Sequence, residues 1–168
     1  MKKLLWVLAG FGALCLVGAI TAGVLFGLRM LKPELVDDGL QKEMGALGVT
    51  VGTSTAEDLA ARFGPPEQTK QETLSTVYLY GTKGLLFRVD KQTGKLVWYE
   101  ITSRQYATAR AIRVGATYDE ILNAYGSTEY VTLMPTGTRI RYRYGTAFFL
   151  EFWLNKAGKV ERIAFFHA

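Results

Sequence analysis

The feature that most restricts the fold of this chain is an internal duplication. The stretch Val51 to Gly64 recurs as Val114 to Gly126 with one residue fewer, so that Thr55, Leu59, Phe63 and Gly64 match Thr117, Ile121, Tyr125 and Gly126. Tyr78-x-Tyr80-Gly81-Thr82 then aligns with Tyr142-x-Tyr144-Gly145-Thr146, and Leu85-x-Phe87-x-Val89-Asp90 with Leu150-x-Phe152-x-Leu154-Asn155. Gly94-Lys95-Leu96 aligns with Gly158-Lys159-Val160. Ordered blocks at a nearly constant offset mark a repeated structural unit. A unit of about sixty residues makes a marginal core alone, so the two copies are expected to pack into one body.

Each block has a local physical meaning. Thr117 with Glu120 three residues later forms a capping box, and Ser54 with Glu57 is expected to do the same in the first copy. Leu59 with Phe63, and Ile121 with Tyr125, lie four apart and give a short helix one apolar face. Gly64 and Gly126 suit the helix end, and Pro65-Pro66 prevents continuation. Alternation predicts strands over 77–80, 85–89 and 96–101, and again over 138–144, 148–154 and 160–165. Asp90 to Gly94 and Asn155 to Gly158 read as hairpin loops. The fold class is therefore α+β: two tandem units, each a helix followed by an antiparallel β-meander.

A different element precedes the duplication. Lys2 and Lys3 introduce a run from Leu4 to Leu28 without a charged residue, closed by Arg29 and Lys32. At about 1.5 Å per residue such a helix crosses the roughly 30 Å hydrocarbon core, and it exceeds the apolar core of a signal peptide. Val17-Gly18-Ala19 is the alternative reading as a cleavage site. A short basic start before a globular C-terminal domain favours a single-pass anchor in the cell membrane, N-terminus cytoplasmic and C-terminal domain extracytoplasmic. Ala19, Gly23 and Gly27 fall four apart and form a candidate helix–helix contact. The expected organisation is a transmembrane anchor (1–28), a juxtamembrane linker (29–48), repeat unit 1 (49–108) and repeat unit 2 (109–168). Val36, Leu40, Met44 and Leu47 give the linker a helical stripe.

The helix introduced by a Val-Gly turn, ended by Phe-Gly-Pro-Pro and followed by Tyr-x-Tyr-Gly and a Gly-turn hairpin, resembles a known superfamily. It is similar to the tandem helix–meander modules of beta-lactamase inhibitory proteins and to the SmpA/BamE small outer-membrane assembly lipoproteins. Gly52, Leu59, Phe63, Gly64, Pro65, Tyr80 and Phe87 carry the pattern, with Gly115, Ile121, Tyr125, Gly126, Tyr144 and Phe152 in the second copy. Two units stand nearer to the inhibitor arrangement, and Cys15 follows Leu14 rather than a small residue, unlike a lipoprotein's acylated Cys. The resemblance implies an extracytoplasmic protein-binding module without catalysis.

The side chains lead the same way. The single Cys15 and single His167 allow no disulfide framework, no Cys-based zinc site and no multi-His metal centre. No Gly-x-Ser-x-Gly elbow, phosphate loop or dinucleotide fingerprint is present, so no enzyme, cofactor or small-molecule substrate is expected. The pairs Glu57/Asp58 and Asp119/Glu120 sit in first helical turns, where the dipole favours them. With 20 Lys+Arg against 15 Asp+Glu, and Lys2 and Lys3 in the anchor, the basic excess is too small for a nucleic-acid binder. One surface stands out. In Thr138 to Tyr144 the three arginines Arg139, Arg141 and Arg143 point one way, and alternation puts Phe149, Glu151 and Trp153 on that face. Arg, Phe and Trp together have the composition of a binding hot spot. The alternative is that Arg141 or Arg143 pairs with Glu151 and covers Phe149 and Trp153. Trp98, Tyr99, Tyr106 and Tyr130 lie near the junction of the copies and are expected to serve core or inter-unit packing.

The expected function is a non-catalytic, membrane-anchored binding module. It would act as an accessory or assembly subunit of an envelope complex, with a protein partner at the membrane. The alternatives are an inhibitor of an extracytoplasmic enzyme, or a structural subunit held by its membrane helix.

Overall fold

The structure, a computed structural model, describes residues 37–168. The predicted anchor with Ala19, Gly23 and Gly27, and the first part of the linker, lie outside the described residues. Among those described, no helix is long and apolar enough to cross a membrane. The elements in order are α1 (Asp37–Met44), α2 (Ala56–Phe63), β1 (Gln68–Gln71), β2 (Ser75–Tyr80), β3 (Leu85–Asp90) and β4 (Leu96–Ile101). They continue as α3 (Tyr118–Tyr125), β5 (Val131–Met134), β6 (Gly137–Tyr144), β7 (Phe148–Asn155) and β8 (Val160–His167).

The eight strands form one antiparallel sheet in the order β1-β2-β3-β4-β8-β7-β6-β5. Each copy contributes four neighbouring strands, and the copies join through their last ones, with Tyr99 opposite Phe165 and Ile101 opposite Ile163. Joining removes two edges that isolated units would expose. The α+β class holds, with one strand more per copy than the alternation predicts. β1, Gln-Thr-Lys-Gln, is exposed at every position, and β5 at all but one, so neither carries the in–out pattern of a half-buried strand.

Local chemistry explains the helices. Asp58 N–H donates to the Thr55 hydroxyl at 3.4 Å while Thr55 N–H donates to the Asp58 carboxylate at 2.8 Å. The second box joins Thr117 and Glu120 at 3.2 and 2.6 Å. The first box is thus Thr55–Asp58, not Ser54–Glu57. The extra residue of the first copy lies in the preceding turn, where the Ser54 hydroxyl accepts from Thr50 N–H at 2.9 Å.

Each helix seats an aromatic ring in a repeated cluster. Phe63 packs on Tyr80 and Phe87 at 5.8 and 5.1 Å, and Tyr125 packs on Tyr142 and Phe152 at 5.2 and 5.4 Å. The Tyr80 hydroxyl donates to the Gly64 carbonyl at 3.1 Å and the Tyr142 hydroxyl to the Gly126 carbonyl at 2.6 Å, tying each helix end to the sheet. Tyr80 therefore corresponds to Tyr142, not to Tyr144 as the Tyr-x-Tyr-Gly alignment implies. β6 has 8 residues where β2 has 6, so its Tyr-Gly end reaches past the equivalent point. The core, including Leu59, Tyr99, Ile121, Ile140 and Phe165, lies between this face of the sheet and the helices.

Candidate functional site

The three helices lie on one face of the sheet: α2 over Tyr80 and Phe87, α3 over Tyr142 and Phe152, and α1 beside Tyr99. The opposite face carries no helix among the described residues. Strand register arranges its side chains in rows. Arg88, Trp98, Phe166, Phe149 and Arg143 form one row; Leu86, Glu100, Ala164, Glu151 and Arg141 the next; Arg162, Trp153 and Arg139 the third. The five residues singled out by alternation, Arg139, Arg141, Arg143, Phe149 and Trp153, thus share one face on β6 and β7.

The centre of this face is Glu151, only 2% exposed. Its Oε1 accepts from Arg141 Nε at 2.6 Å and Nη2 at 2.5 Å, with Arg139 Nη1 at 4.0 Å. Its Oε2 accepts from Trp153 Nε1–H at 3.2 Å. A carboxylate this buried is stable only when charged donors occupy its lone pairs, and the guanidinium fork supplies them. Arg141 also stands 5.2 Å from the Phe149 centroid, while Trp153 lies between Arg162 at 3.7 Å and Arg139 at 5.5 Å. The cross-strand pair and the cation–π cover are therefore both present, through Arg139, Arg141 and Arg162. Arg143 stays outside the cluster, exposed, its Nε–H donating to the Gly145 carbonyl at 2.9 Å.

The surface continues past the predicted residues. Phe149 stacks on Phe166 at 5.5 Å and Phe166 on Trp98 at 4.4 Å, an aromatic band across the seam between copies. Arg162 reaches Glu100 at 3.5 Å. Burial pushes the Glu100 carboxyl pKa up, against the pull of Arg162 and Arg88. Arg162 and Phe166 escape sequence reasoning because β8 is buried on both faces near its end, which erases its alternation. Of the aromatics assigned to the junction, Trp98 and Tyr99 pack across it on opposite faces. Tyr106 packs on Phe63 of the first copy's core cluster at 6.4 Å, whereas Tyr130 is exposed.

The helix side holds a second polar cluster. Glu43 of α1 is 1% exposed; its Oε1 accepts from the Tyr125 hydroxyl at 2.5 Å and its Oε2 from Ala109 N–H at 3.1 Å. The Tyr99 hydroxyl donates to the Glu43 carbonyl at 2.9 Å. Burial raises the Glu43 pKa, against the Tyr125 and Ala109 hydrogen bonds and the charge of Arg110. Burial and the neighbouring Glu43 raise the Tyr125 hydroxyl well above its ordinary value. These bonds latch α1 to α3 and to the loop before it. Met44 and Leu47 of the predicted apolar stripe are buried alongside. Glu43 gives no sequence signal, since a lone Glu on a short helix reads as a solvated residue.

No family model matches the chain, and no curated protein matches its sequence. Solved structures do. A DUF4309-family protein, YjgB, of Bacillus subtilis subsp. subtilis str. 168 superposes with a TM-score of 0.55 at 17% identity, over 80% of this chain and 94% of that one. A cysteine-rich secretory protein of Staphylococcus aureus subsp. aureus Mu50 superposes with a TM-score of 0.51 at 14% identity, over 68% of this chain. The match spans 42% of that longer protein. The uncharacterized protein yfeY of Escherichia coli gives 0.48 at 11% identity, over 75% and 97%. At these identities the likeness is one of fold.

Proposed function

We propose that the protein is a non-catalytic binding module, anchored by residues 4–28 with residues 37–168 on the extracytoplasmic side. It serves as an accessory or assembly subunit of an envelope complex, and holds an acidic protein surface on the open face of its second copy. The observation that carries this reading is the charge balance of that face. Arg139 and Arg141 meet one buried carboxylate, Glu151, Arg162 pairs with Glu100 at the margin, and Arg143 stands on the same face outside these pairs, so four arginines face two carboxylates. Both Glu151 oxygens are already taken, so a partner meets guanidinium donors and flat aromatic surface rather than a free acid or base. Such Arg and Trp anchors dominate binding energy when a partner desolvates them. The basic start before the apolar run supports the orientation, and the staphylococcal neighbour is named a secretory protein.

The test is recovery of the complex from solubilised membranes. Arg143→Glu with Trp153→Ala is expected to remove one discrete partner, while Leu at Ala19, Gly23 and Gly27 leaves it bound. The reverse pattern would assign assembly to the membrane helix and overturn the proposal. The second reading, an inhibitor, draws on the tandem units fused into one sheet, the arrangement that motivates the likeness to beta-lactamase inhibitory proteins. It predicts that the partner is an enzyme whose turnover falls when the chain is added.

A further inference from the structure

The two copies diverge in the loop that leads into each helix. Gly48-Val49-Thr50-Val51-Gly52 precedes α2, and Ala111-Ile112-Arg113-Val114-Gly115 precedes α3. Their backbones match. Gly48 and Ala111 both have left-handed φ, 78° and 64°, and Gly52 and Gly115 N–H donate to Leu96 and Val160 at 2.7 Å. Ala111 is the one non-glycine residue at positive φ among the described residues, in a conformation that costs an L-residue strain.

What lies over the loop differs. In the first copy Arg62, from the last turn of α2, covers it and donates to the Leu47 carbonyl at 3.4 Å. A Cβ added at Gly48 would meet Arg62 Nε at 2.9 Å. The α3 counterpart of Arg62 is Ala124, which leaves room for the Ala111 methyl and opens a cleft of about 870 Å³. Asn123 replaces Ala61 on its wall and Arg113 replaces Thr50, while Arg104 and Lys159 complete the rim. Arg113 is held in place by the carbonyls of Arg104 and Gln105 at 3.2 and 2.9 Å. Unlike Arg88, Arg139, Arg141 and Arg162, none of these three cations makes an ion pair among the described residues. The lining carboxylate, Glu120, has its Oε2 taken by the Thr117 N–H and hydroxyl of the capping box, and it also feels the charge of Lys159.

We propose that this cleft binds an organic ligand carrying two or more oxyanion groups, carboxylate or phosphate, on a short carbon frame. Arg104, Arg113 and Lys159 take the anionic groups, Asn123 hydrogen-bonds beside them, and the Ala111 and Ala124 methyls contact the frame. The volume lies in the range that holds small ligands. The site is separate from the open sheet face, and the two proposals fail independently.

Calorimetric titration of the full chain in neutral detergent micelles, with pyrophosphate in one arm and citrate in the other, tests it. One arm is expected to show saturable one-to-one binding that weakens with added salt. Arg113→Thr copies the first copy's residue and should weaken binding at least about tenfold by removing a charge-assisted contact. The pair Ala111→Gly/Ala124→Arg installs the first copy's own glycine and arginine, a combination that frame already accepts, and should do the same by filling the cleft. Arg143→Glu on the open face should leave binding unchanged. Repeating the pyrophosphate titration in phosphatidylcholine discs with and without cardiolipin, whose headgroup joins two phosphates through a glycerol, separates the sources. A headgroup ligand competes in the anionic discs, a soluble ligand does not, and both outcomes support the site. Absence of saturable binding in both arms, or binding as tight as the unaltered chain's in both Arg113→Thr and the double variant, would overturn it.

Discussion

In the first copy Tyr80 reaches the Gly64 carbonyl and Arg88 on β3 stands 5.5 Å over Trp98 on β4. In the second, Tyr142 reaches Gly126, and the same cation–π contact recurs with partners exchanged, Trp153 on β7 under Arg162 on β8. Even the register irregularity repeats, after Arg88 and after Trp153. Capping boxes, helix ends and aromatic clusters are shared because they hold each helix on its meander. The copies part on two surfaces. Where the first has Val77, Leu79 and Leu86 on the open face, the second has Arg139, Arg141 and Glu151. Where the first closes its loop with Arg62, the second leaves a cationic cleft. Apart from the buried Tyr125 hydroxyl on Glu43, which Phe63 cannot copy, the described divergence lies on these two surfaces, and the proposed binding roles rest on it.

This comparison can be broken first at its core. Phe87→Ala and Phe152→Ala are each expected to cost about 3–5 kcal/mol, and nearly the same amount, in denaturant unfolding. Unequal costs would mean that the two clusters do different work. Glu43→Ala should cost about 2–4 kcal/mol, because the Tyr125 hydroxyl and Ala109 N–H are left buried and unpaired. Glu43→Gln isolates the charge. A carboxyl whose folded pKa is raised contributes stability that is full below its ordinary value and lost as pH rises through the raised one. Glu43→Gln should therefore flatten that part of the pH–stability curve, and an unchanged curve would count against the latch. Glu151→Leu installs the first copy's Leu86 and should cost about 1–3 kcal/mol, since Arg141 and Trp153 Nε1–H lose their acceptor. Thr55→Ala and Thr117→Ala should each cost about 1 kcal/mol, again equally.

Much of the frame was legible because its determinants are local. Thr117–Glu120 spacing, Leu59–Phe63 spacing and two-residue alternation on β6 and β7 each act within a few residues, and they bring Arg139, Arg141, Arg143, Phe149 and Trp153 to one face. What was hidden depends on distant partners. β1 has no buried position to mark it, and the register of Tyr80 and Tyr142 follows from strand length. Glu43 becomes a buried latch only because Tyr125 and Ala109 arrive from the other end of the fold. The cleft exists through the pairing of Ala111 with Ala124, two alanines that carry no signal in sequence.

The most direct test of the open face is photocrosslinking in intact cells. One probe is placed at Arg143 on the second copy's face and another at Leu79 on the first copy's face. The account predicts a discrete adduct with a different protein from Arg143 and none from Leu79. Adducts from Leu79 alone, equal adducts from both, or only self-adducts from Arg143 would contradict it.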